Sequence, residues 1–327
     1  MRPPHATTVA DVSESALLAL ILDELGRASA AVVGPGDDAA VLSVADGSVV
    51  VSTDTLVHGP DFRLAWSTGF DLGAKSAAVN LADIAAMGAR PTALLVALAL
   101  PPQTEVDFVR QLARGLRSAC ESLAPGCAVE GGDLTASDTL TIAVTALGVL
   151  DGRSPVLRSG AREGDTVAIC GPLGHAARGL RILFDRFRDS EGTPVAVDAA
   201  LLDSRECEYV SAQLRPHPPI DQGPVAAQAG AVALMDVSDG LLLDARRMAD
   251  ASKVTIDLSG AFDDDELHGG EDHSLLAVFP PHAAVPPGFR VIGQVRARGA
   301  DAVTVDGATP HGRAGWDPQR DWDAGRG

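Results

Sequence analysis

Cysteine is scarce in this sequence, and the four that occur follow no metal-binding pattern. Cys120, Cys127, Cys170 and Cys207 form no CxxC pair and no Cys/His ligand spacing. The sequence therefore predicts neither a structural zinc site nor a disulfide framework, and we expect reduced thiols.

Long apolar runs are also missing. No stretch of about 18 uncharged apolar residues occurs, and residues 1–10 lack the apolar segment that is typical of a signal peptide. We therefore expect a cytoplasmic protein without a membrane-spanning helix.

Basic residues are few relative to acidic ones. The 327 residues include 26 Lys and Arg against 44 Asp and Glu, which gives a formal net charge of -18. Such a charge repels nucleic acid and anionic membrane surfaces, so we expect neither as a partner. With 46% apolar residues, the chain is long enough for two domains, each with a core of its own.

The common nucleotide-binding motifs are missing as well. The sequence contains no Walker A motif, no Rossmann GxGxxG, no protein-kinase Gly-rich loop and no G-x-S-x-G elbow. The folds that carry those motifs are therefore disfavoured.

What is present is a pair of halves with alternating helical and strand-like patterns. In residues 1–150 the helical patterns lie at 69–88 and 104–123, and the strand-like runs lie at 39–44, 48–53, 93–100, 128–130 and 139–150. A stretch rich in Gly, Arg and Ser at 151–165 begins a second half, residues 151–310, and a polar tail, 311–327, is expected to be partly ordered. The patterns predict a mixed α+β fold with two domains.

The helical pattern at 69–88 is dense in small residues and carries a polar stripe. Ser76, Asn80 and Asp83 recur at i, i+4 and i+7, so they share one face that is turned to solvent or to a site. Lys75 follows Asp71 by four residues, which favours an ion pair along the helix.

Acidic residues occur in six short segments flanked by glycines or apolar runs. They are Asp37 and Asp38, Asp54, Asp83, Asp133, Asp236 and Asp239, and Glu271 and Asp272. Several follow a predicted strand, so the ends of the sheets can gather them in one place. Gly-Asp pairs also form ordinary turns, which is the simpler explanation for any one of them. Clustered carboxylates repel one another unless cations hold them, so the whole set favours a Mg²⁺ site.

These segments resemble the thiamine-monophosphate kinase family of the AIR-synthetase-like superfamily. The matching stretches, in order, are 36–38 (GDD), 52–55 (STDT), 78–89 (AVNLADIAAMGA), 131–133 (GGD), 158–160 (RSG), 236–240 (DVSDG) and 269–272 (GGED). Each motif is weak alone, but together they span nearly the whole chain.

The resemblance implies an N-terminal α/β domain that dimerises through its sheet and a C-terminal α/β domain that closes a cleft against it. It implies Mg²⁺ ligands at Asp37, Ser52, Thr53, Asp54, Asp83, Asp133, Asp236 and Asp239. ATP, the co-substrate, would be held by Gly132, Asp133, Arg158 and Ser238. The residues expected to assist transfer are Asp133, Asp239 and Arg158. The residues expected at the thiamine site are Asp61, Glu271 and Trp316.

The chain departs from the family pattern on the substrate side, where Asp61 stands in place of a histidine. Two alternatives therefore remain open. One is a related ATP-dependent enzyme of the same fold with a different phosphorylated acceptor. The other is a catalytically weak protein that binds Mg²⁺ and nucleotide.

Overall fold

The computed structural model describes residues 7–26, 31–33, 41–42, 44, 47–311 and 315. The first half contains α1 (Glu14–Leu25), β1 (Ala31–Val33), β2 (Val41–Leu42), β3 (Val50–Val57), α2 (Gly69–Ala86), β4 (Arg90–Leu100), α3 (Val106–Leu123), β5 (Ala128–Ala136) and β6 (Thr141–Val149). The second half contains β7 (Thr166–Cys170), α4 (His175–Arg186), α5 (Ser204–Leu214), α6 (Gln222–Gln228), β8 (Ala233–Val237), α7 (Leu241–Ser252), β9 (Thr255–Leu258), α8 (Asp264–His268), β10 (Ser274–Phe279), β11 (Phe289–Arg296) and β12 (Val303–Val305). The molecule is therefore a mixed α/β protein.

The first half is built on a four-stranded sheet in the order β3-β6-β4-β5, covered on one face by α2 and α3. Leu72 and Ile84 of α2 are fully buried with Ile142 of β6. On the opposite face, 55% of Val51 and 38% of Leu95 are exposed. The sheet therefore has one packed face and one open face.

Glycines explain why the pattern of α2 is so dense in small residues. A Cβ at Gly73 would lie 2.0 Å from the carbonyl oxygen of Leu112, and a Cβ at Gly115 would lie 2.1 Å from that of Phe70. The backbones of α2 and α3 thus lie so close together that only glycine fits at these two positions.

The second half is built on a six-stranded sheet in the order β12-β9-β11-β7-β10-β8. All residues of β8 and β10 are buried. Leu276 packs in a core with Met248 of α7, whereas Phe279 belongs to a core that includes Ala226 of α6. Burial on both faces accounts for the continuous apolar runs in these strands.

Helix α2 also joins the two halves. A Cβ at Gly223, in α6, would lie 2.2 Å from the carbonyl oxygen of Ala85, near the C-terminal end of α2. On the other side of the cleft, Trp66 packs edge-on against Phe184, with ring centroids 4.9 Å apart. The polar stripe of α2 therefore lies between the two sheets.

Several boundaries differ from the sequence-based expectations. The strand expected at 128–130 continues to Ala136, because its pairing with β4 continues, with Ala97 opposite Asp133. Asp54 and Asp236 also lie inside strands instead of after them. Of the strands expected at 39–44 and 48–53, only parts of the first lie among the described residues, and the second is extended to Val57. At Gly131 and Gly132 in β5, pairing with β4 overrides the low strand propensity of glycine.

The helices expected at 69–88 and 104–123 are confirmed as α2 and α3. Among the helices that the structure describes, none combines the length and the apolar character that crossing a membrane requires.

Candidate active site

Acidic side chains from both halves meet in the cleft beside α2. Ser52 of β3 donates its hydroxyl hydrogen to Asp83 Oδ2 of α2 at 2.5 Å. The backbone N–H of Asp54 donates to Asn80 Oδ1 at 3.0 Å. Two members of the polar stripe thus bind the edge strand β3, and Asp236 reaches the same place from β8.

The electrostatics of this cluster show how closely the carboxylates lie. Burial, followed by the charge of Asp236, raises the pKa of Asp83 to about 7. Burial also raises the pKa of Asp54, and the charges of Asp236 and Glu271 act in the same direction. Burial and mutual repulsion therefore both disfavour the charged form of these carboxylates.

His273 lies in the same cluster and is not among the site residues that the sequence predicted. It is 7% exposed, and its Nδ1 lies 3.0 Å from Asp236 Oδ2. Burial alone would lower the pKa of His273, but the hydrogen bond and charge of Asp236, with the charge of Glu271, raise it above its ordinary value. Its position directly after the GGED motif was the available signal.

Lys75 corrects another expectation. It forms no ion pair with Asp71; its Nζ lies 2.5 Å from Glu271 Oε2 and donates to the carbonyl oxygen of Gln213 at 3.3 Å. Asp71 caps its own helix at Thr68 and lies 3.2 Å from Arg215 Nε. Lys75 is 3% exposed, so packing between the two halves decides its partner.

A cavity of about 820 Å³ opens beside this ion pair. Its apolar wall consists of Phe62, Trp66, Leu180, Leu183, Phe184 and Leu214. Its polar groups include Asp61, Arg63, Ser67, Lys75, Ser238, Asp264, Asp265, His268 and Glu271. The combination of one apolar wall and a set of convergent charges is typical of a small-molecule site.

Asp61 has a definite structural partner in this cavity. Its Oδ2 accepts the backbone N–H of Val57 at 2.7 Å, which fixes the turn after β3. Burial raises the pKa of Asp61 above its ordinary value. Asp61 therefore stabilises the turn at the edge of the cavity and also lines the cavity.

The segment that follows β8 supplies two of the expected residues. Ser238 lines the cavity. Asp239 accepts a hydrogen bond from Arg247 Nη1 at 2.6 Å, and the same nitrogen donates to Asp244 at 2.6 Å. Asp244 in turn accepts the backbone N–H of Asp239 at 3.0 Å. Arg247 thus compensates two neighbouring carboxylates.

Gly132 and Asp133 of the same chain lie far from the acidic cluster around Asp54. In the sheet, Asp54 pairs with Val144, Val144 with Val96, and Val96 with Gly132. Gly132 and its neighbour Asp133 are therefore three strand spacings from Asp54, roughly 14 Å.

The side chains of Asp133 and Thr53 also differ in direction from that of Asp54. Asp133 is paired with Ala97 and shares the open face of the sheet with it. Thr53 donates to the carbonyl oxygen of Val144 at 2.9 Å and lies beside Thr145. Arg158 is exposed on the segment between the two sheets, where its carbonyl oxygen accepts the hydroxyl of Ser252.

Two expected site residues, Asp37 and Trp316, lie outside the described residues, as does Asp38. Within the described part of the chain, no three His, Cys, Asp or Glu side chains are arranged to hold a metal ion by themselves.

Comparison with known proteins gives consistent matches. Residues 36–150 match the family described as AIR synthase related protein, N-terminal domain. The chain is 40% identical over 331 residues to the thiamine-monophosphate kinase of Mycobacterium tuberculosis, with 95% of this chain and 93% of that protein covered.

Two solved structures are similar along most of the chain. The thiamine-monophosphate kinase of Stenotrophomonas maltophilia is 32% identical with a TM-score of 0.75, and the match covers 91% of this chain and 98% of that one. AaThiL complexed with AMPPCP and TMP is 29% identical with a TM-score of 0.72, over 93% of this chain and 96% of that one.

Proposed function

Because this chain belongs to the thiamine-monophosphate kinase family, we propose that it transfers the γ-phosphoryl group of ATP to thiamine monophosphate. The products are thiamine diphosphate and ADP. The observation that carries the proposal is the meeting of Asp54, Asp83 and Asp236 from both halves of the molecule. The charge of Glu271 acts on Asp54, and Glu271 lines a cavity large enough for a small phosphorylated acceptor. The AaThiL structure with AMPPCP and TMP supports the choice of the two substrates.

The chemistry of the acceptor explains which residues the site needs. A phosphate monoester has a second pKa of about 6, so it is already an oxyanion at neutral pH and needs no general base. The difficulty is to bring this anion in line with the terminal phosphate of ATP. The protein's task is positioning and charge neutralisation, and direct transfer requires no covalent intermediate.

Mg²⁺ is the cation that the family and the donors suggest. Ser52, Asp54, Asp83 and Asp236 offer hard oxygen donors, and burial together with the neighbouring charge of Asp236 raises the pKa of Asp83. Mg²⁺ usually takes one or two carboxylates and completes its coordination with waters and substrate phosphates, so a ready-made cage is not required. When bound, it neutralises charge on both phosphates. Asp37, Thr53, Asp133 and Asp239 complete the proposed set of residues that hold the ions, directly or through water.

ATP is proposed to contact Gly132, Asp133, Arg158 and Ser238. Asp133 lies on the open face of the first sheet, where Val51 and Leu95 are exposed. A homodimer formed through this face would cover these apolar residues and place Asp133 at the interface between the two sheets. The nucleotide site would then adjoin the dimer interface, with Asp133, Arg158 and Asp239 assisting transfer.

Thiamine monophosphate is proposed to occupy the cavity. The aromatic rings of Trp66 and Phe184 suit a cationic heterocycle, and the carboxylates of Asp61 and Glu271 complement its positive charge. Trp316 is proposed as a further residue of the thiamine site. In this arrangement residues 1–150 form the domain that binds ATP and Mg²⁺ and dimerises, and residues 151–310 form the AIR-synthetase-like C-terminal domain. The enzyme is proposed to act in the cytoplasm.

The test is product formation with a matched variant. Purified protein is incubated with ATP, MgCl₂ and thiamine monophosphate, and thiamine diphosphate and ADP are separated by chromatography. We expect both products in equal amounts, and their loss in Asp54→Asn and Asp133→Asn. ADP without thiamine diphosphate would mean that water accepts the phosphoryl group, and the absence of both products would contradict the proposed transfer.

A further inference from the structure

His273 lies in the cleft, yet the phosphoryl transfer proposed above gives it no role. Its ring is buried beside Asp236, with Nδ1 3.0 Å from Oδ2. The contact joins neighbouring strands, because Leu275 at the start of β10 pairs with Asp236 in β8. The ring therefore rests against a carboxylate that the proposed function assigns to Mg²⁺.

The backbone that carries His273 is in an uncommon conformation. His273 has φ 51° and Glu271 has φ 70°, both in the left-handed region. Such conformations are unfavourable for residues other than glycine and persist where the surroundings fix them. Here the N–H of His273 donates to the carbonyl oxygen of Val237 at 3.1 Å, and that of Glu271 to Ser238 at 2.8 Å. These bonds hold the ring in one place relative to β8.

Packing alone does not account for this histidine. Its Nε2 is buried and has no hydrogen-bond partner among the described residues. A buried ring nitrogen without a partner is unfavourable, and an apolar side chain would fill the same space without that penalty. The feature that an apolar side chain cannot reproduce is the Nδ1–H donor that faces Asp236.

We propose that His273 is a positioning residue for Asp236. Its Nδ1–H holds Oδ2, which fixes the plane of the carboxylate and leaves Oδ1 to a divalent cation near Asp54 and Asp83. The inference rests on the proposed function, because it concerns the cation which that function requires. Hydrogen bonds of this kind orient ligands and strengthen metal binding in many sites.

Two substitutions separate the effect of the Nδ1–H donor from the effect of the backbone conformation at position 273. His273→Asn keeps an N–H donor near the position of Nδ1, and asparagine tolerates positive φ better than most residues. His273→Gly also tolerates positive φ but removes the donor. Mn²⁺, which accepts the same oxygen donors, is titrated into each protein in the presence of AMPPCP, and the free ion is measured by electron paramagnetic resonance. Circular dichroism in EDTA checks that each variant is folded, and His273→Ala replaces the glycine variant if that one is not.

We expect the glycine variant to bind Mn²⁺ about 10–100-fold more weakly than the wild type, and the asparagine variant to remain within about 3-fold. Equal affinity in all three proteins would overturn the inference and leave the proposed function intact. Equal weakening in both folded variants would also overturn it, because the donor would then not be the cause. No Mn²⁺ binding by the wild type would instead contradict the proposed metal site itself.

Discussion

Lys75 and Glu271 form an ion pair that links the two halves of the molecule across the cleft, with Nζ 2.5 Å from Oε2. The two partners differ in their access to water: 4% of the Lys75 side chain is exposed, against 43% of the Glu271 side chain, although Oε2 itself is buried. Loss of Glu271 and loss of Lys75 should therefore lower the free energy of unfolding by different amounts.

Removing the carboxylate should destabilise the protein more than removing the ammonium. Glu271→Gln leaves a buried cation without a counter-ion, so we expect a loss of about 2–4 kcal/mol in the free energy of unfolding. Lys75→Met leaves a carboxylate that can turn to water, and we expect a loss of about 1 kcal/mol or less. Urea unfolding of both variants and of the double variant measures this. A larger effect of Lys75→Met would contradict the assignment.

Asp83→Asn should change how stability depends on pH. The folded pKa of about 7 lies above the ordinary value of 3.8. The stability linked to this group is therefore fully present below pH 3.8 and is lost as the pH rises through 7. In EDTA, the wild type should lose about 2–3 kcal/mol between pH 5 and 8 relative to Asp83→Asn. Urea unfolding at several pH values provides the measurement, and parallel curves for the two proteins would refute the expectation.

Trp66 is expected to serve both stability and acceptor binding. It is 6% exposed, packs on Phe184, and donates its Nε1–H to the carbonyl oxygen of Phe187 at 3.0 Å. Trp66→Ala should reduce the free energy of unfolding by about 3–5 kcal/mol and raise KM for the acceptor, because it removes part of the cavity wall. The control, Trp66→Phe, keeps a ring and should lose only about 1 kcal/mol. An unchanged KM in the folded alanine variant would exclude Trp66 from the acceptor site.

Gly73→Ala tests the close packing of α2 on α3. Alanine favours helix more than glycine does, yet its Cβ would lie 2.0 Å from the carbonyl oxygen of Leu112. We expect a loss of about 1–3 kcal/mol in the free energy of unfolding, because the helices must move apart. Ser122→Ala, on an exposed position of α3, should change stability by less than about 0.5 kcal/mol. A stabilised Gly73→Ala variant would disprove the close approach.

Local pattern predicted the helices and buried strands well. The spacing of small residues located α2, and the apolar run at 93–100 located β4, because these signals depend on neighbours in sequence. The ends of β3 and β5 were wrong, because strand length depends on a partner strand elsewhere in the chain. Glycines at Gly131 and Gly132 indicated a turn locally, whereas pairing with β4 keeps them extended.

The candidate site was only partly accessible from the sequence. Motif order pointed to Asp54, Asp83 and Asp236, which the structure places in one cleft. It did not reveal the partners of Lys75 and His273, because both partners come from distant segments that only the packed fold brings together. Nor did the sequence reveal that Asp133 lies on the other edge of the sheet from Asp54, since spacing along the chain carries no strand order.

The fate of the γ-phosphoryl group tests the proposed reaction most directly. Enzyme, Mg²⁺, thiamine monophosphate and ATP labelled with ³²P at the γ position are mixed, and samples are quenched within one turnover. Direct transfer predicts that the label passes from ATP to thiamine diphosphate, with no labelled protein at any time and no transfer in EDTA. Label that appears on the protein, or that is released as inorganic phosphate while thiamine monophosphate remains unchanged, would contradict it.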